Sequence, residues 1–151
     1  MAPATSTLEP LSRKDCLALL AHEHLGRLAV AIGDQPLVFP VGYALDGDAI
    51  VFLTDPGTKL HGARGKHVAF EIDGVDGLRR GWSVIVAGRA ESVTAGPELR
   101  RLRALDFGPW SSGSKAHVVR IRGGAITGRI ITFVDHDASA AVAPATLSEV
   151  D

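Results

Sequence analysis

The chain has 151 residues, with 16 Lys+Arg against 17 Asp+Glu for a formal charge of −1, and 46% of it is apolar. A chain of this length buries roughly 70% of its unfolded surface, so the composition fits one domain and excludes general disorder, while the near-zero charge gives no strong field toward nucleic acid or acidic lipid. The lone cysteine, Cys16, excludes an internal disulfide framework and a cysteine-only zinc site.

Residues 1–10 lack a basic segment followed by an apolar one, as a secretory leader would need, and are expected to form a flexible arm. Ser12 stands three residues before Asp15 in a capping pattern, and Leu17, Leu20 and Ala21 supply an apolar stripe, so the spacing predicts a helix over 12–23. From Leu25 the period changes to two. Leu28, Val30 and Ile32 alternate with Arg27, Ala29 and Ala31, the signature of a strand with one buried face. Gly33-Asp34 turns the chain into a second strand over 37–43, and Asp46-Gly47 turns it again into 49–54.

Asp55-Pro-Gly-Thr-Lys59 opens a loop and a short helix to about Arg64. Val68, Phe70 and Ile72 mark a fourth strand, closed by the turn-rich Asp73-Gly-Val-Asp-Gly77, and residues 82–93 a long fifth one. Pro97 suits the first turn of a helix whose buried stripe is Leu99, Leu102 and Leu105. Residues 117–122 and 126–133 read as a last strand pair separated by Gly123-Gly124, and 135–151 as a disordered tail. About seven strands with hairpin-like connections predict a mainly β protein, an antiparallel barrel with three short helices, in a single domain over 11–134. The longest apolar runs, such as 49–53, fall far short of the ~20 residues of a membrane helix. A soluble, cytoplasmic protein is expected.

The sharpest local feature is Thr54-Asp-Pro-Gly-Thr-Lys59. Phosphate binding needs a backbone that can approach closely, hydroxyl groups and a compact cation, which Gly57, Thr54 with Thr58, and Lys59 would supply. The alternative is a capping threonine beside a solvated lysine. Pro40 cannot donate to a ladder and Gly42 leaves its strand bare, so a flat ligand, or simply an edge, fits Phe39-Pro-Val-Gly-Tyr43. No acid occurs from Phe107 through Val134, yet Lys115, Arg120, Arg122 and Arg129 do. His22-x-His24 lacks a third metal ligand at useful spacing. Arg100, Arg101 and Arg103 on an amphipathic helix need no nucleic acid to explain them.

Taken in order, Leu25-Gly-Arg-Leu-Ala29, Phe39-Pro-Val-Gly-Tyr43, Ile50-Val-Phe-Leu-Thr54, Gly57-Thr-Lys-Leu60, Val68-Ala-Phe-Glu-Ile-Asp73, Gly81-Trp-Ser-Val84 with Gly88-Arg-Ala90, and Ile126-Thr-Gly-Arg129 resemble the pyridoxamine 5'-phosphate oxidase-like family of FMN-binding split barrels, in its small actinobacterial-type members. The resemblance implies a homodimer with a cofactor in each of two interfacial clefts. It implies that Thr54, Gly57, Thr58 and Lys59 hold the cofactor phosphate and that the Val41-Gly42-Tyr43 backbone runs along the flavin ring. Trp82 and Ser83 would line the same cleft, Trp110 would reach in from the partner, and Arg129 would stand near the ring's pyrimidine edge. The implied activity is a flavin-dependent oxidoreductase passing electrons from a small-molecule donor to a small organic acceptor. The alternative is a cofactor carrier or sensor without turnover. FMN is the expected cofactor, with deazaflavin F-420 and then haem as alternatives; no dedicated acid or base, metal ligand, nucleic acid or membrane partner is expected. The arginine and histidine set of true pyridoxamine phosphate oxidases is missing, so vitamin B6 oxidation is not implied. Thr54 stands where the related nitroimidazole-resistance proteins carry a histidine.

Overall fold

A computed structural model describes residues 5–77, 79–111 and 115–134. The elements in chain order are β1 (Thr5–Pro10), α1 (Arg13–His22), β2 (Leu25–Ile32), β3 (Gln35–Gly42), β4 (Ala44–Asp46), β5 (Ala49–Thr54), α2 (Thr58–Ala63), β6 (His67–Asp76), β7 (Arg80–Val93), α3 (Gly96–Arg103) and β8 (His117–Val134). All strand pairs are antiparallel, in the order β3-β2-β6-β7-β8-β5-β4, with β1 added along β8. The sheet curls into a split barrel with three short helices against it.

Period-two patterning decides the inner face. Leu28 and Val30 of β2, Val68, Phe70 and Ile72 of β6, and Val84 and Val86 of β7 are all buried, with Tyr43, Ile50, Phe52 and Ile121 completing the core. Helix α1 closes one side of it. Ser12 caps this helix, its Oγ accepting from the Asp15 amide at 3.1 Å. Its buried stripe is Cys16 and Leu20, one helical turn apart, while Ala21 is exposed. A smaller cluster of Ala44, Val51, Leu102, Phe107 and Val118 seats α3 on the sheet's other surface.

Several expectations change. Part of the 1–10 arm is strand β1, with Leu8 opposite Ile131 and Glu9 opposite Ile130. The reason is geometric: β8 is 18 residues long and β5 pairs only with its first part, so the remaining edge takes up another strand. Eight strands result where about seven were expected.

The two final strands are one. Gly123-Gly124 does not turn the chain but forms a bulge opposite Gly88, between the pairs Ala87↔Ala125 and Arg89↔Arg122. Gly123 takes φ +72°, and a Cβ on Gly124 would lie 1.5 Å from the Ala87 carbonyl oxygen, so both positions require glycine. Likewise Asp73-Gly-Val-Asp76 continues β6, and Gly74 makes room for the Trp82 ring where a turn was expected. The strand over 37–43 divides: β3 pairs with β2, and the chain breaks at Tyr43 before β4 starts the hairpin with β5. The expected tail, 135–151, lies outside the described residues.

The outer sheet face carries one feature that bears on function. Ala29, Ala69, Ala87 and Ala125 stand side by side across β2, β6, β7 and β8. Ile85, 45% exposed, lies in the next row, and Val38, 64% exposed, extends the surface onto β3. Small residues in register make this face flat and poor in charge at its centre.

Candidate functional site

Strand β5 ends at Thr54, buried at 3% exposure, with His117 as its cross-strand partner. The Thr54 hydroxyl donates to the Asp55 carbonyl at 3.1 Å, so it braces the loop that follows. Gly57 caps α2 with φ 151° and ψ −162°, a conformation open essentially to glycine alone. Thr58 is exposed at the start of α2, and Lys59 beside it is half-buried, its Nζ 5.8 Å from the Phe39 ring centroid.

A second lysine, Lys115, lies near enough to act on the first. Burial and the nearby Lys115 ammonium push the Lys59 pKa down, and Asp55 only partly opposes them. Neither lysine makes an ion pair among the described residues. Lys115 is held in place by α3: Arg103 donates from its two Nη atoms to the carbonyls of Lys115 (3.0 Å) and Ala116 (2.6 Å). Thr54, Gly57, Thr58, Lys59 and Lys115 therefore form one cluster, with Phe39 as its apolar wall. Two nearby like charges that Asp55 only partly offsets favour an anion, which would relieve their repulsion and accept hydrogen bonds from both. Lys115 was visible in the sequence only as one base in an acid-free run.

The Val41-Gly42-Tyr43 segment forms a second place. The Tyr43 amide donates to the His24 carbonyl at 3.0 Å, its hydroxyl to the Leu20 carbonyl at 2.7 Å, and its ring meets Phe70 edge-on at 4.8 Å. Tyr43 thus ties α1 to the core, and burial pushes its phenol well above the ordinary value. Val41 is buried beside it. Gly42 is bare because Trp110 and Ser111 pass over it: a Cβ there would lie 2.9 Å from the Trp110 carbonyl carbon. Trp110 itself is 58% exposed and, with Glu23, His24, Arg27 and Asp73, lines a groove of about 330 Å³.

Trp82, Ser83 and Arg129 form a third. Trp82 packs at the inner rim of the barrel, while Ser83, one residue on, faces outward between Asp73 and Arg129. Adjacent strand residues point to opposite faces, so Trp82 and Ser83 do not share a cleft within one protomer. Arg129 is twelve residues along β8 from His117, roughly 40 Å of strand at ~3.3 Å per residue. Within one chain it does not join the lysine cluster.

Among the described residues, no group of three or more His, Cys, Asp or Glu gathers to hold a metal, and no helix is long and apolar enough to cross a membrane.

The curled antiparallel sheet with three short helices against it defines a small split-barrel protein. A family profile described as Pyridoxamine 5'-phosphate oxidase matches residues 12–130, and the chain belongs to that family in its broad, pyridoxamine 5'-phosphate oxidase-like sense. Among solved structures it is similar to the FAD binding protein from Mycobacterium smegmatis, at 33% identity, TM-score 0.71, and coverage of 81% of this chain and 98% of that one. It is also similar to a FAD-binding protein from Mesorhizobium loti, at 27% identity, TM-score 0.71, and coverage of 82% and 97%. An uncharacterized protein of Mycobacterium tuberculosis is 30% identical over 125 residues, 78% of this chain and 82% of the relative.

Proposed function

We propose that the protein is a flavin-dependent oxidoreductase that holds the cofactor's phosphate between α2 and the start of β8 and reduces a small organic acceptor. The observation that carries this reading is the Gly57-Thr58-Lys59 turn at the end of β5, where Lys59 lies over the Phe39 ring with Lys115 near it and neither lysine makes an ion pair among the described residues. The flavin-binding proteins of similar fold and sequence support the choice of cofactor. A flavin supplies hydride and single-electron chemistry when bound. The chain's part is to position it: Lys59 and Lys115 neutralise the phosphate, Thr58 offers a hydroxyl, and Phe39 gives an apolar wall. FMN is the leading form, and deazaflavin F-420 or haem are the alternatives.

The same reading makes the active unit a homodimer through the flat outer face around Ala69, Ala87 and Ile85. Ser83 and Arg129 belong to that face, so a second copy is what would bring them near a cofactor seated at Lys59. Light scattering after gel filtration should give twice the chain mass, and Ala87→Arg should give monomers. A wild-type monomer would remove the interfacial cleft.

The test of the whole reading is the absorption spectrum of the purified protein, repeated after FMN addition and removal of the unbound fraction. A retained two-band flavin spectrum supports it; a single violet band or a Soret band changes the cofactor; no retained chromophore after trials of all three overturns it. Repeated reduction by a nicotinamide or reduced deazaflavin donor, with reoxidation by a quinone or nitro compound, separates an enzyme from a carrier.

A further inference from the structure

Among the described residues, the exposed large hydrophobic side chains are Leu8, Val38, Val75, Ile85, Phe133 and Trp110. All but Trp110 stand on the outer face of the sheet. Leu8, Ile131, Gly81 and Val75 form one cross-strand row, Phe133 lies two residues beyond Ile131, and Val38 stands beside Ala29. Apolar surface gathered on one face marks contact with another molecule. Between the Val75 row and the Ile85 row runs a polar one, Asp73, Ser83 and Arg129 on β6, β7 and β8. Arg129 is exposed and makes no ion pair among the described residues. Asp73 lies two strands away, roughly 10 Å at ~4.8 Å per strand, and shares Arg27 with Glu71 at 3.4 and 3.3 Å.

Asp73 and Arg27 also line the Trp110 groove, together with Glu23 and His24. Glu23 makes no ion pair among the described residues, so Glu23, Glu71 and Asp73 stand around one guanidinium. The indole is open, but its stem is fixed. Gly108, at φ +68°, fits against His24, its amide donates to Asp106 Oδ1 at 2.9 Å, and the Trp110 backbone lies on Gly42. An uncovered indole beside surplus carboxylates suits a cation, and a guanidinium above others, because it stacks flat on the ring while its N–H groups reach the acids.

Self-association supplies that cation. With two sheets packed face to face, a two-fold axis along β7 sets Ile85 and Ala87 on their own copies and exchanges β6 with β8. Ala69 then meets the partner's Ala125, Val75 meets the partner's Ile131, and Asp73 meets the partner's Arg129, twice per dimer. The cost lies at one rim, where Arg89 approaches its own copy and its exposed side chain turns to water. An axis across the strands, through the alanine and Ile85 rows, instead sets Arg89 on Ile85 or a carboxylate, Glu71 or Asp73, on Ala69. Charge is then buried against apolar surface, which disfavours that register.

We propose that Arg129 of a second copy occupies the Trp110 groove, its guanidinium on the indole and paired with Asp73 and Glu23, and that the two such contacts specify the register of an isologous homodimer. The pairing rests on the homodimer reading above and adds the residues that select the partner. Arginine and tryptophan are the side chains most often found at the energetic centre of such interfaces.

Sedimentation velocity over a dilution series measures the dimer Kd of the full chain and of its Arg129→Asp and Asp73→Arg variants, with a thermal melt of each to verify the fold. Either reversal brings like charges together twice per dimer and should weaken it at least about a hundredfold. Mixed one to one, the two variants face each other with opposite charges at both contacts and should pair within about tenfold of the wild-type affinity. Damage to the fold cannot produce that rescue. Trp110→Ala should weaken the wild-type dimer about tenfold. If a reversal lowers the melting midpoint, Arg129→Gln takes its place, with an expected weakening of about tenfold. Unchanged affinity in these variants, or weakening by both reversals without rescue on mixing, overturns the pairing and leaves the homodimer standing. A wild-type monomer overturns the homodimer reading and the pairing with it.

Discussion

The barrel carries two basic regions, and they are built in opposite ways. Around α3, Arg101, Arg120 and Arg122 are matched by acids. Arg120, 6% exposed, donates to Glu91 from Nη2 at 2.7 Å and Nε at 3.0 Å, and to Glu98 from Nη1; Arg122 shares Glu91 at 2.9 Å, and Arg101 forks onto Asp46 at 2.7 and 3.2 Å. Around α2, Lys59, Arg64, Lys66 and Lys115 make no ion pair among the described residues, and Asp55 only partly offsets the charge at Lys59. The first arrangement bonds α3 to β4, β7 and β8 and leaves little attraction for anything else. The second leaves its charge available to an anion. Positive residues alone say little about ligands; whether their partners come from the same chain says much more. The two regions meet at Arg103, whose α3 side chain fixes the backbone that presents Lys115.

Breaking the neutralised region should cost the most. Arg120→Met removes the central cation and leaves two carboxylates facing each other, so it should lower unfolding stability by about 2–3 kcal/mol, less than a fully buried pair because both acids reach solvent. Urea denaturation measures this, and flavin affinity should not change. In the open region the expectation reverses. Lys59→Ala should weaken FMN binding about tenfold or more, with no loss of stability in the empty protein, because the substitution also relieves repulsion with Lys115. Fluorescence titration beside a thermal melt would show both; unchanged affinity removes the phosphate assignment.

Arg103→Ala sharpens the comparison without touching either cluster's charge pairs. It should lower FMN affinity by a few-fold at most, roughly 1 kcal/mol, and Lys115→Ala should abolish that effect, since Arg103 acts through Lys115. A double-mutant cycle reads the coupling.

The smallest effects follow pH. The Arg101 guanidinium beside Asp46, and Arg120 beside Glu98, hold both carboxyls below their ordinary values. Their contribution is therefore complete above the ordinary carboxylate range and lost as pH falls through the lowered values. Glu71, on the outer face, goes the other way: burial and then the Asp73 carboxylate push its pKa up to about 7, outweighing Arg27. Its folded form holds a proton that the unfolded chain releases, so stability should decline as pH rises from about 4.5 to about 7. Glu71→Gln should flatten that decline, and Asp46→Asn the acid limb, in denaturation midpoints measured across pH.

Much of this is legible in the sequence. Alternation located β2 and the buried face of β7, where Val84 and Val86 point inward as their spacing required, and the Asp46-Gly47 turn located β5. The Ser12 cap and the Pro97 helix start followed from local chemistry. Gly57-Thr-Lys59 stood out as a loop suited to phosphate. Less legible were features in which one local signal serves two geometries. Gly123-Gly124 and Asp73-Gly74 both look like turns, because glycine permits a turn and a close approach alike, and only the facing strand decides between them. The Thr5–Pro10 strand carries no pattern of its own and forms because β8 leaves an edge to cover.

The sequence by itself determined the strand periodicity, the helix starts and the presence of a cation-bearing glycine loop, since all of these depend on sterics and polarity within a few residues. The tertiary structure decided that Lys115 stands beside Lys59, that Trp82 and Ser83 serve opposite faces, and which arginines are neutralised. Those outcomes depend on strands distant in the chain being brought into register, and electrostatics acts on distance in space rather than on separation along the chain.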